Sequence, residues 1–242
     1  MDQFLSGKKA IVTGGSKGIG FAIAQALLEQ GADVLLCGRG EASVVEAASK
    51  LQAATPGQKV VGRKADVSSS REVEDLFAAA DRVLGGLDIL INNAGSGTFR
   101  ATADLTVEEW DRVISTNLSG AFYCSREALL RFRTAKQGAI INISSLAGKN
   151  PFAGGSAYNA SKFGLNGFSE AMMLDHRNDG VRVSTIMPGS VDTGFGGNPG
   201  GQRSDWKIAP EDIAEIVLDI LRKPLRTLVS RVEVRPSRPQ KG

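Results

Sequence analysis

Apolar runs of strand type alternate with amphipathic helical segments from one end of this chain to the other. The strand-type runs are rich in Val, Ile, Leu and Ala, and they cover residues 10–12, 34–37, 60–64, 87–91, 139–143, 181–186 and 228–234. Helical patterns separate them at about residues 18–30, 42–54, 69–84, 106–134, 156–179 and 210–222. Because repeated strand–helix–strand units form a parallel sheet covered on both faces, the alternation predicts an α/β fold.

No shift in composition divides the 242 residues into parts. We therefore expect a single domain over residues 1–242, which is large enough to bury most of its apolar surface without disulfides. Two segments interrupt the alternation. The stretch 188–205 is too rich in glycine and proline for regular structure, and residues 235–242 form a basic tail that contains proline.

Composition excludes several classes of protein. Apolar residues make up 42% of the chain and charged residues 23%, and this composition excludes a disordered chain. The net charge of +3 is too small to indicate a nucleic-acid-binding protein. The chain has no apolar run long enough to span a bilayer, and its first residues lack the apolar region of a secretory signal. The single histidine, His176, gives no basis for a metal site. We expect a cytoplasmic protein with no metal, no nucleic-acid partner and no membrane partner.

A glycine-rich loop follows the first predicted strand and leads directly into the first predicted helix. It has the sequence Thr-Gly-Gly-Ser-Lys-Gly-Ile-Gly from Thr13 to Gly20, in which glycines let the backbone turn sharply and approach a diphosphate. The start of the helix then offers unpaired N–H groups and a positive dipole to that anion. The spacing G-x-x-x-G-x-G differs from the usual fingerprint, but its place between strand and helix indicates a dinucleotide site. The expected contacts in the loop are Gly14, Ser16, Lys17, Gly18, Ile19 and Gly20.

The end of the second predicted strand indicates which dinucleotide is bound. Proteins that bind NAD through the usual fingerprint have an acidic residue there, about 20 residues beyond the loop, which holds the ribose 2′-hydroxyl. Here the chain has Cys37-Gly38-Arg39, and the next carboxylate is Glu41. An arginine at this place can bind a 2′-phosphate through two hydrogen bonds, and Lys17 adds a second cation nearby. The sequence therefore favours NADPH over NADH as the cofactor.

A serine, a tyrosine and a lysine near the fifth predicted strand have a spacing suited to acid–base catalysis. Ser145 follows that strand, and Tyr158 and Lys162 share one face of the next helix because they are four residues apart. A nearby cation can lower the pKa of a phenol by roughly 1–3 units, which makes it a better acid–base catalyst. Ser145, at the carboxyl edge of a parallel sheet, can donate a hydrogen bond to a substrate oxygen. Phe152 is a candidate for the wall of the substrate pocket.

Taken together, these features resemble the short-chain dehydrogenase/reductase family over nearly the whole chain. The matching motifs are the loop at 13–20, Asp66-Val67, Asn92-Asn93-Ala94-Gly95, Asn117 within Asn-Leu-Ser-Gly, Ser145, the Tyr158/Lys162 pair and the run 188–193. The resemblance implies a Rossmann-type doubly wound sheet of seven parallel strands in the order 3-2-1-4-5-6-7, with helices on both faces.

The resemblance also implies roles for individual residues. Tyr158 is implied as the general acid, Lys162 as the cation that lowers its pKa and holds the nicotinamide ribose, Ser145 as the residue that orients the carbonyl, and Asn117 as the anchor of a water in the proton relay. Further implied cofactor contacts are Asp66 and Val67 at the adenine, Asn93, Ala94 and Gly95 beside the adenosine ribose, and Pro188, Gly189, Val191 and Thr193 near the nicotinamide. The stretch at about 194–208 is implied as a substrate lid. The helices at 106–134 and 156–179 are implied as the contacts of a homotetramer or homodimer.

Within the family, length and motifs are most similar to those of 3-oxoacyl-thioester reductases of fatty-acid synthesis. This implies NADPH-dependent reduction of a ketone to a secondary alcohol. Asp179 stands where those reductases often carry an arginine for the acyl carrier protein, with Lys136 a candidate for the other docking cation, so other small carbonyl substrates stay open. Arg39 disfavours an NAD-linked alcohol dehydrogenase that oxidises its substrate. The complete catalytic set disfavours a regulator that only senses NADPH.

Overall fold

The computed structural model describes residues 3–195 and 204–238, and a sheet of seven parallel strands lies at its centre. The strands are β1 (Lys9–Thr13), β2 (Asp33–Gly38), β3 (Val60–Lys64), β4 (Ile89–Asn92), β5 (Gly138–Ile143), β6 (Val181–Pro188) and β7 (Arg231–Val234). Their order is β3-β2-β1-β4-β5-β6-β7, and each neighbouring pair is parallel. The predicted fold class and strand order are confirmed.

Helices connect the strands and cover the sheet. In the described ranges the α-helices are α1 (Gly18–Glu29), α2 (Glu41–Ala54), α3 (Ser70–Leu84), α4 (Val107–Ile114), α5 (Gly120–Ala135), α6 (Ser156–His176) and α7 (Pro210–Arg222). Local sequence sets the ends of several of them. Ser69 caps α3 by accepting the N–H of Glu72, and Gly85 ends that helix in the left-handed region at φ 77°.

The predicted helical segment at 106–134 is confirmed, since the chain is helical without a break from Val107 to Ala135, but the sequence did not predict the π turn within it. Ser115–Ser119 form a turn of π-helix between α4 and α5. A π turn inserts an extra residue while the chain continues to wind in the same direction, so the chain stays helical on both sides of it. Such turns are frequent at functional sites, and this one contains Asn117.

Two predicted elements are longer than the observed ones. The predicted helix at 156–179 ends at His176, after which Arg177–Asp179 form a 3-10 turn that Gly180 terminates in the left-handed region. The predicted strand at 228–234 starts only at Arg231, because β7 lies at the sheet edge and pairs with the last residues of β6 alone.

Apolar side chains fill both sides of the sheet. One buried cluster lies between the sheet and α1, α2 and α7, and a second lies between the sheet and α3, α5 and α6. Alternation along β1 contributes to both, since Val12 belongs to the first cluster and Ile11 to the second. Because the strands are covered on both faces, a ligand can reach them only at their ends. Within the described ranges, none of the helices combines the length and the apolar character needed to cross a membrane.

Candidate active site

The carboxyl ends of β1 and β4 form the centre of the site, because the strand order reverses between these two neighbours. The chain leaves β1 toward β2 on one side and leaves β4 toward β5 on the other, which opens a crevice between the two loops. Thr13 Oγ1 accepts the N–H groups of Asn93 and Ala94 at 3.0 Å each. In return, Asn93 Nδ2 donates to the carbonyls of Thr13 and Gly14 at 2.9 and 3.0 Å. The loop after β4 therefore holds the loop after β1 in place.

Glycines allow the loop after β1 to make the sharp turn that the sequence predicts. Gly14 and Gly18 have φ values of +64° and +57°, a region that side-chain-bearing residues rarely adopt. Gly20 has no room for a side chain, because a Cβ there would lie 2.4 Å from both Asn93 Nδ2 and the Gly14 carbonyl oxygen. The first turn of α1 is therefore in close contact with the loop after β4.

The start of α1 is suited to an anion. Lys17 occupies the N-cap position without a side-chain hydrogen bond to the helix, and the first turn contains no acidic residue. The first N–H groups therefore lack the side-chain acceptor that Ser69 provides for α3. Ser16 and Ile19 are half-buried beside this turn, and Lys17 and Arg39 are exposed. Unpaired N–H groups with two exposed cations fit the phosphates of NADPH, including its 2′-phosphate.

Asp66 and Val67 lie in the turn between β3 and α3, at the same edge of the sheet. The Asp66 carboxylate accepts the N–H and the hydroxyl of Ser68 at 3.0 and 2.8 Å, which makes this turn rigid. Val67 is buried against the start of α5, where a Cβ on Gly120 would lie 2.8 Å from Val67 Cγ2. Both residues therefore lie where a dinucleotide that starts at the glycine loop could extend along the sheet edge.

Ser145, Tyr158 and Lys162 come together between the end of β5 and the start of α6. Ser145 lies close enough to Tyr158 to lower the pKa of the phenol, and its hydroxyl donates to the carbonyl of Pro188 at 3.5 Å. Lys162 is 4% exposed, and its Nζ donates to the carbonyl of Ile143 at 2.9 Å and lies 5.7 Å from the centre of the Tyr158 ring. Gly95 lies next to this lysine, since a Cβ on Gly95 would be 3.9 Å from Lys162 Nζ. The structure thus brings the predicted catalytic residues to the end of the predicted cofactor path.

The acidity of Tyr158 differs from what its spacing to Lys162 predicts. Burial raises the pKa of Tyr158 above its ordinary value, and the nearby hydroxyl of Ser145 offsets only part of that rise. Burial also lowers the pKa of Lys162 to about 8. The predicted lowering of the tyrosine pKa is therefore wrong for the chain by itself. The physical reason is that desolvation disfavours a charge on either group, while the ammonium of Lys162 is bonded to a carbonyl rather than to the phenol.

Asn117 is buried in the π turn between α4 and α5. Its Oδ1 accepts the N–H of Ser96 at 2.7 Å, and its Nδ2 donates to the Ser96 carbonyl and to Ser161 Oγ at 2.9 Å each. The side chain therefore joins the loop after β4 to α6, close to Lys162. The water-anchoring role that the family resemblance implies stays a prediction, since both ends of this amide are bonded to protein groups.

The loop after β6 forms the opposite wall of the crevice. Pro188 ends β6 in a buried position, and the next N–H, that of Gly189, donates to the carbonyl of Val234 at 2.8 Å. Val191 pairs with Ile208 in an isolated parallel bridge.

Thr193, in the same loop, lies over the start of α1, because a Cβ on Gly18 would be 3.2 Å from Thr193 Cγ2. The loops after β1 and β6 therefore face each other across the crevice. Within the predicted lid at 194–208, residues 196–203 lie outside the described residues, as do residues 239–242 of the predicted basic tail.

Three phenylalanines lie around Tyr158, and only one of them, Phe152, was predicted. Phe99 comes from the loop after β4 and Phe195 from the loop after β6, and the ring centre of each is 5.7 Å from that of Tyr158. Phe152 lies 5.8 Å from Phe99. No periodicity links positions in three separate loops, so the sequence signal was limited to single aromatic residues near recognised motifs.

Comparison with known proteins gives a consistent result. Residues 8–202 match the family model described as short chain dehydrogenase. A protein of Staphylococcus aureus described as an uncharacterized oxidoreductase is 37% identical over 96% of this chain and 98% of its own. A metagenomic short-chain oxidoreductase solved in complex with NADP is 36% identical over 97% of this chain and 99% of its own, with a TM-score of 0.85. An alcohol dehydrogenase from the archaeon Thermococcus sibiricus, complexed with 5-hydroxy-NADP, is 29% identical over the same shares, with a TM-score of 0.89.

Proposed function

The chain belongs to the short-chain dehydrogenase family of oxidoreductases, and on this premise we propose that it is an NADPH-dependent carbonyl reductase. The observation that supports the proposal best is the meeting of Ser145, Tyr158 and Lys162 at the carboxyl edge of the sheet. These residues stand at the end of a crevice whose other end has a glycine loop suited to phosphates. A dinucleotide along this edge would place a substrate beside Tyr158.

In the proposed reaction, NADPH held by the glycine loop and Arg39 would supply the hydride that reduces the carbonyl carbon of a ketone. Tyr158 Oη donates its proton to the carbonyl oxygen, which yields a secondary alcohol. The phenol of Tyr158 carries its proton at neutral pH, but burial raises its pKa and so makes it a weaker acid, which means that the transfer needs a cation beside the ring. Ser145 Oγ, which lies near the same phenol, orients the substrate oxygen toward it. Lys162 stabilises the phenolate that remains, through its charge beside the ring.

The preference for NADPH rests on charge at the adenosine end. Arg39 and Lys17 are exposed beside the start of α1, and the described turn after β2 has no carboxylate before Glu41. A guanidinium in that place attracts a 2′-phosphate, whereas a ribose 2′-hydroxyl gains little from it. Two similar structures were solved with NADP or a derivative of it, which supports the same choice of cofactor for this chain.

The narrower prediction is a 3-oxoacyl-thioester reductase, which needs a surface that binds an acyl carrier protein. The residues near Asp179 are poorly suited to that binding. Asp179 bonds to His176 at 2.9 Å and lies 3.9 Å from Arg133. The candidate docking cation, Lys136, is close enough to help lower the pKa of the same carboxylate. Because an acidic carrier protein is attracted by an excess of positive charge, a patch of mixed sign favours free carbonyl compounds as substrates.

Self-association through α4, α5 and α6 is part of the proposal. Each of these helices carries an exposed aromatic residue in the isolated chain: Trp110 on α4, Phe122 on α5 and Phe163 on α6. Exposed apolar side chains gathered on neighbouring helices are typical of protein interfaces, and a homotetramer or homodimer would bury them.

The two buried, unpaired cysteines fit a reducing compartment such as the cytoplasm, where NADPH is also available.

The proposal is tested by following the loss of NADPH absorbance with a panel of carbonyl compounds. The panel contains an acetoacetyl thioester, aliphatic ketones, aryl ketones and diketones, and each is also tried with NADH. Turnover of any ketone with NADPH supports the carbonyl reductase, and strong turnover of the thioester supports the narrower assignment. Tight NADPH binding without turnover of any carbonyl compound would contradict the proposal in favour of a sensor.

A further inference from the structure

Exposed aromatic rings lie beside Tyr158, at the place where the proposed function puts the substrate. We call Phe99, Phe152 and Phe195 the aromatic wall, and these side chains are 45%, 47% and 41% exposed. Large apolar side chains are seldom left this exposed in a group unless a ligand or a partner covers them. The catalytic residues of the proposed function lie directly beside the wall, so a substrate is the ligand that would cover it.

The rings are arranged around the phenol rather than scattered over the surface. Phe99 meets Tyr158 edge to face at an interplanar angle of 69°, and Phe195 is tilted against the same ring by 50°. Phe152 extends the group by its contact with Phe99. Aromatic rings 4.5–7 Å apart attract each other in such orientations, so about the same geometry is available to a flat ring of a ligand.

The backbone under the wall keeps these rings in place. A Cβ on Gly155 would lie 2.5 Å from the Phe152 ring, and a Cβ on Gly97 would lie 2.9 Å from the Phe99 ring and 3.2 Å from the Phe195 ring. The rings therefore lie directly on glycine backbone. Further support comes from an isolated parallel bridge that pairs Gly155 with Arg100, which joins the loop after β4 to the loop before α6.

The arginine and lysine side chains near the aromatic wall form hydrogen bonds and ion pairs with other protein groups, so they are not available to a ligand. Arg100 Nε pairs with a carboxylate oxygen of Glu109 at 3.1 Å, and Arg112 donates to Thr98 Oγ1 at 3.0 Å. Lys162 is buried behind Tyr158 and donates to a main-chain carbonyl. Among the residues that the structure describes, those shown beside the Tyr158 ring are apolar rings and the hydroxyl of Ser145, and these offer an anionic or strongly polar arm few partners.

We propose that the aromatic wall selects neutral ketones that carry an aryl or similarly flat apolar group next to the carbonyl. This substrate class rests on the proposed function, because the wall is assigned to the pocket of Tyr158. The flat group stacks on Phe99 and Phe152, and Phe195 covers it from the opposite loop. A thioester with a long polar arm would not cover these rings, so they would stay exposed to water and the thioester would gain less binding energy here than an aryl ketone.

The experiment compares two ketones on the intact enzyme with NADPH. Acetophenone has a phenyl group on the carbonyl carbon, and butanone has only an ethyl group at the same place. We expect kcat/KM to be at least about tenfold higher for acetophenone, since a buried aryl group with ring contacts adds roughly that much. Phe152→Ala should lower kcat/KM about tenfold for acetophenone and by a clearly smaller factor for butanone. Phe99→Ala also removes a contact with Tyr158, so it should lower both values, and that for acetophenone more. Leu225→Ala, at a residue that is 76% exposed outside the pocket, is the control and should change neither value.

A binding measurement separates failure of this inference from failure of the proposed function. Saturation-transfer NMR on the enzyme with NADP⁺ reports acetophenone binding without any turnover. One possible result is that no ketone is reduced, that acetophenone binds, and that Phe152→Ala raises its dissociation constant about tenfold. This result would support binding at the aromatic wall and would contradict the proposed reductase function. Equal kcat/KM for the two ketones, or an equal loss for both in the alanine variants, would overturn the inference while leaving the reductase intact. Acetophenone that neither binds nor reacts would also overturn it.

Discussion

The cofactor side and the substrate side of the crevice are built from different materials. The cofactor side, which consists of the loop at 13–20 and residues 92–95, is made largely of main chain and glycine, and the hydrogen bonds of Asn93 hold it together. The substrate side, which consists of the aromatic wall, is made of exposed side chains from separate loops. Main-chain contacts cannot be changed one at a time, whereas a side chain can be replaced without moving its backbone. We therefore expect changes on the cofactor side to affect all substrates alike and changes on the substrate side to affect one class.

The largest effect is expected at Tyr158, where the two sides meet. Tyr158→Phe removes the proton donor but keeps the ring, so kcat should fall about 10³-fold, within the range that general acids contribute. The dissociation constant for NADPH, measured by nicotinamide fluorescence, should stay within about twofold, because the glycine loop is untouched. Tyr123→Phe, at the half-buried tyrosine of α5, is the matched control and should leave kcat unchanged. A Tyr158→Phe variant with more than a tenth of the wild-type kcat would remove this residue from the role of acid.

Arg39→Asp tests the cofactor side at the adenosine end. The substitution replaces a guanidinium that can bind the 2′-phosphate with a carboxylate that repels it and can accept from a 2′-hydroxyl. We expect the ratio of kcat/KM for NADPH to that for NADH to fall about 100-fold, since charge-assisted hydrogen bonds contribute roughly 1.5–3 kcal/mol. The fall should be the same with every ketone. Arg226→Asp, an exposed arginine outside the crevice, should leave the ratio unchanged. An unchanged ratio in Arg39→Asp would show that the 2′-phosphate is bound elsewhere.

The difference between the two sides also explains what the sequence could predict. The strand order and the glycine loop were predictable because the signals are local: a buried strand, a tight turn and a helix start follow one another from Lys9 to Glu29. Parallel strands then place all loops that follow them at one edge. For this reason Asn93, Ser145 and Thr193, which are far apart in sequence, lie at the same edge.

What could not be predicted depends on packing rather than on pattern. The π turn at 115–119 lies within a segment that is helical on both sides, so the sequence predicted the helix but not the turn. Phe99 and Phe195 resemble any exposed phenylalanine until the loops bring them to Tyr158. The pKa of Tyr158 was expected to fall because a lysine lies one helical turn away, but spacing does not reveal burial, and burial decides the direction.

Lys162 supplies a pH-dependent test at the junction of the two sides. Burial lowers its pKa from 10.5 to about 8, so between these values the unfolded chain binds a proton that the folded chain has released. The free energy of unfolding therefore rises with pH above about 8, because the cost of burying a cation disappears. In Lys162→Met this rise should be absent. We expect wild type to gain on the order of 2 kcal/mol over the variant between about pH 8 and 9.5, measured by urea unfolding. Parallel stability curves would mean that the lysine is solvated in the folded protein.

The smallest effect comes from a matched pair of glycine substitutions, one on each side. A Cβ on Gly20 would lie 2.4 Å from Asn93 Nδ2 and the Gly14 carbonyl, whereas a Cβ on Gly155 would lie 2.5 Å from the edge of the Phe152 ring. The added atom and the clash distance are thus nearly equal, but in one case main chain must move and in the other a ring can turn. Gly20→Ala should raise the NADPH dissociation constant about tenfold and lower kcat/KM equally for acetophenone and butanone. Gly155→Ala should leave NADPH binding unchanged and lower kcat/KM for acetophenone alone, by about fivefold. Gly155→Ala could instead weaken NADPH binding as much as Gly20→Ala does. In that case a change on the substrate side would alter the cofactor side, and the proposed difference between main-chain and side-chain contacts would be wrong.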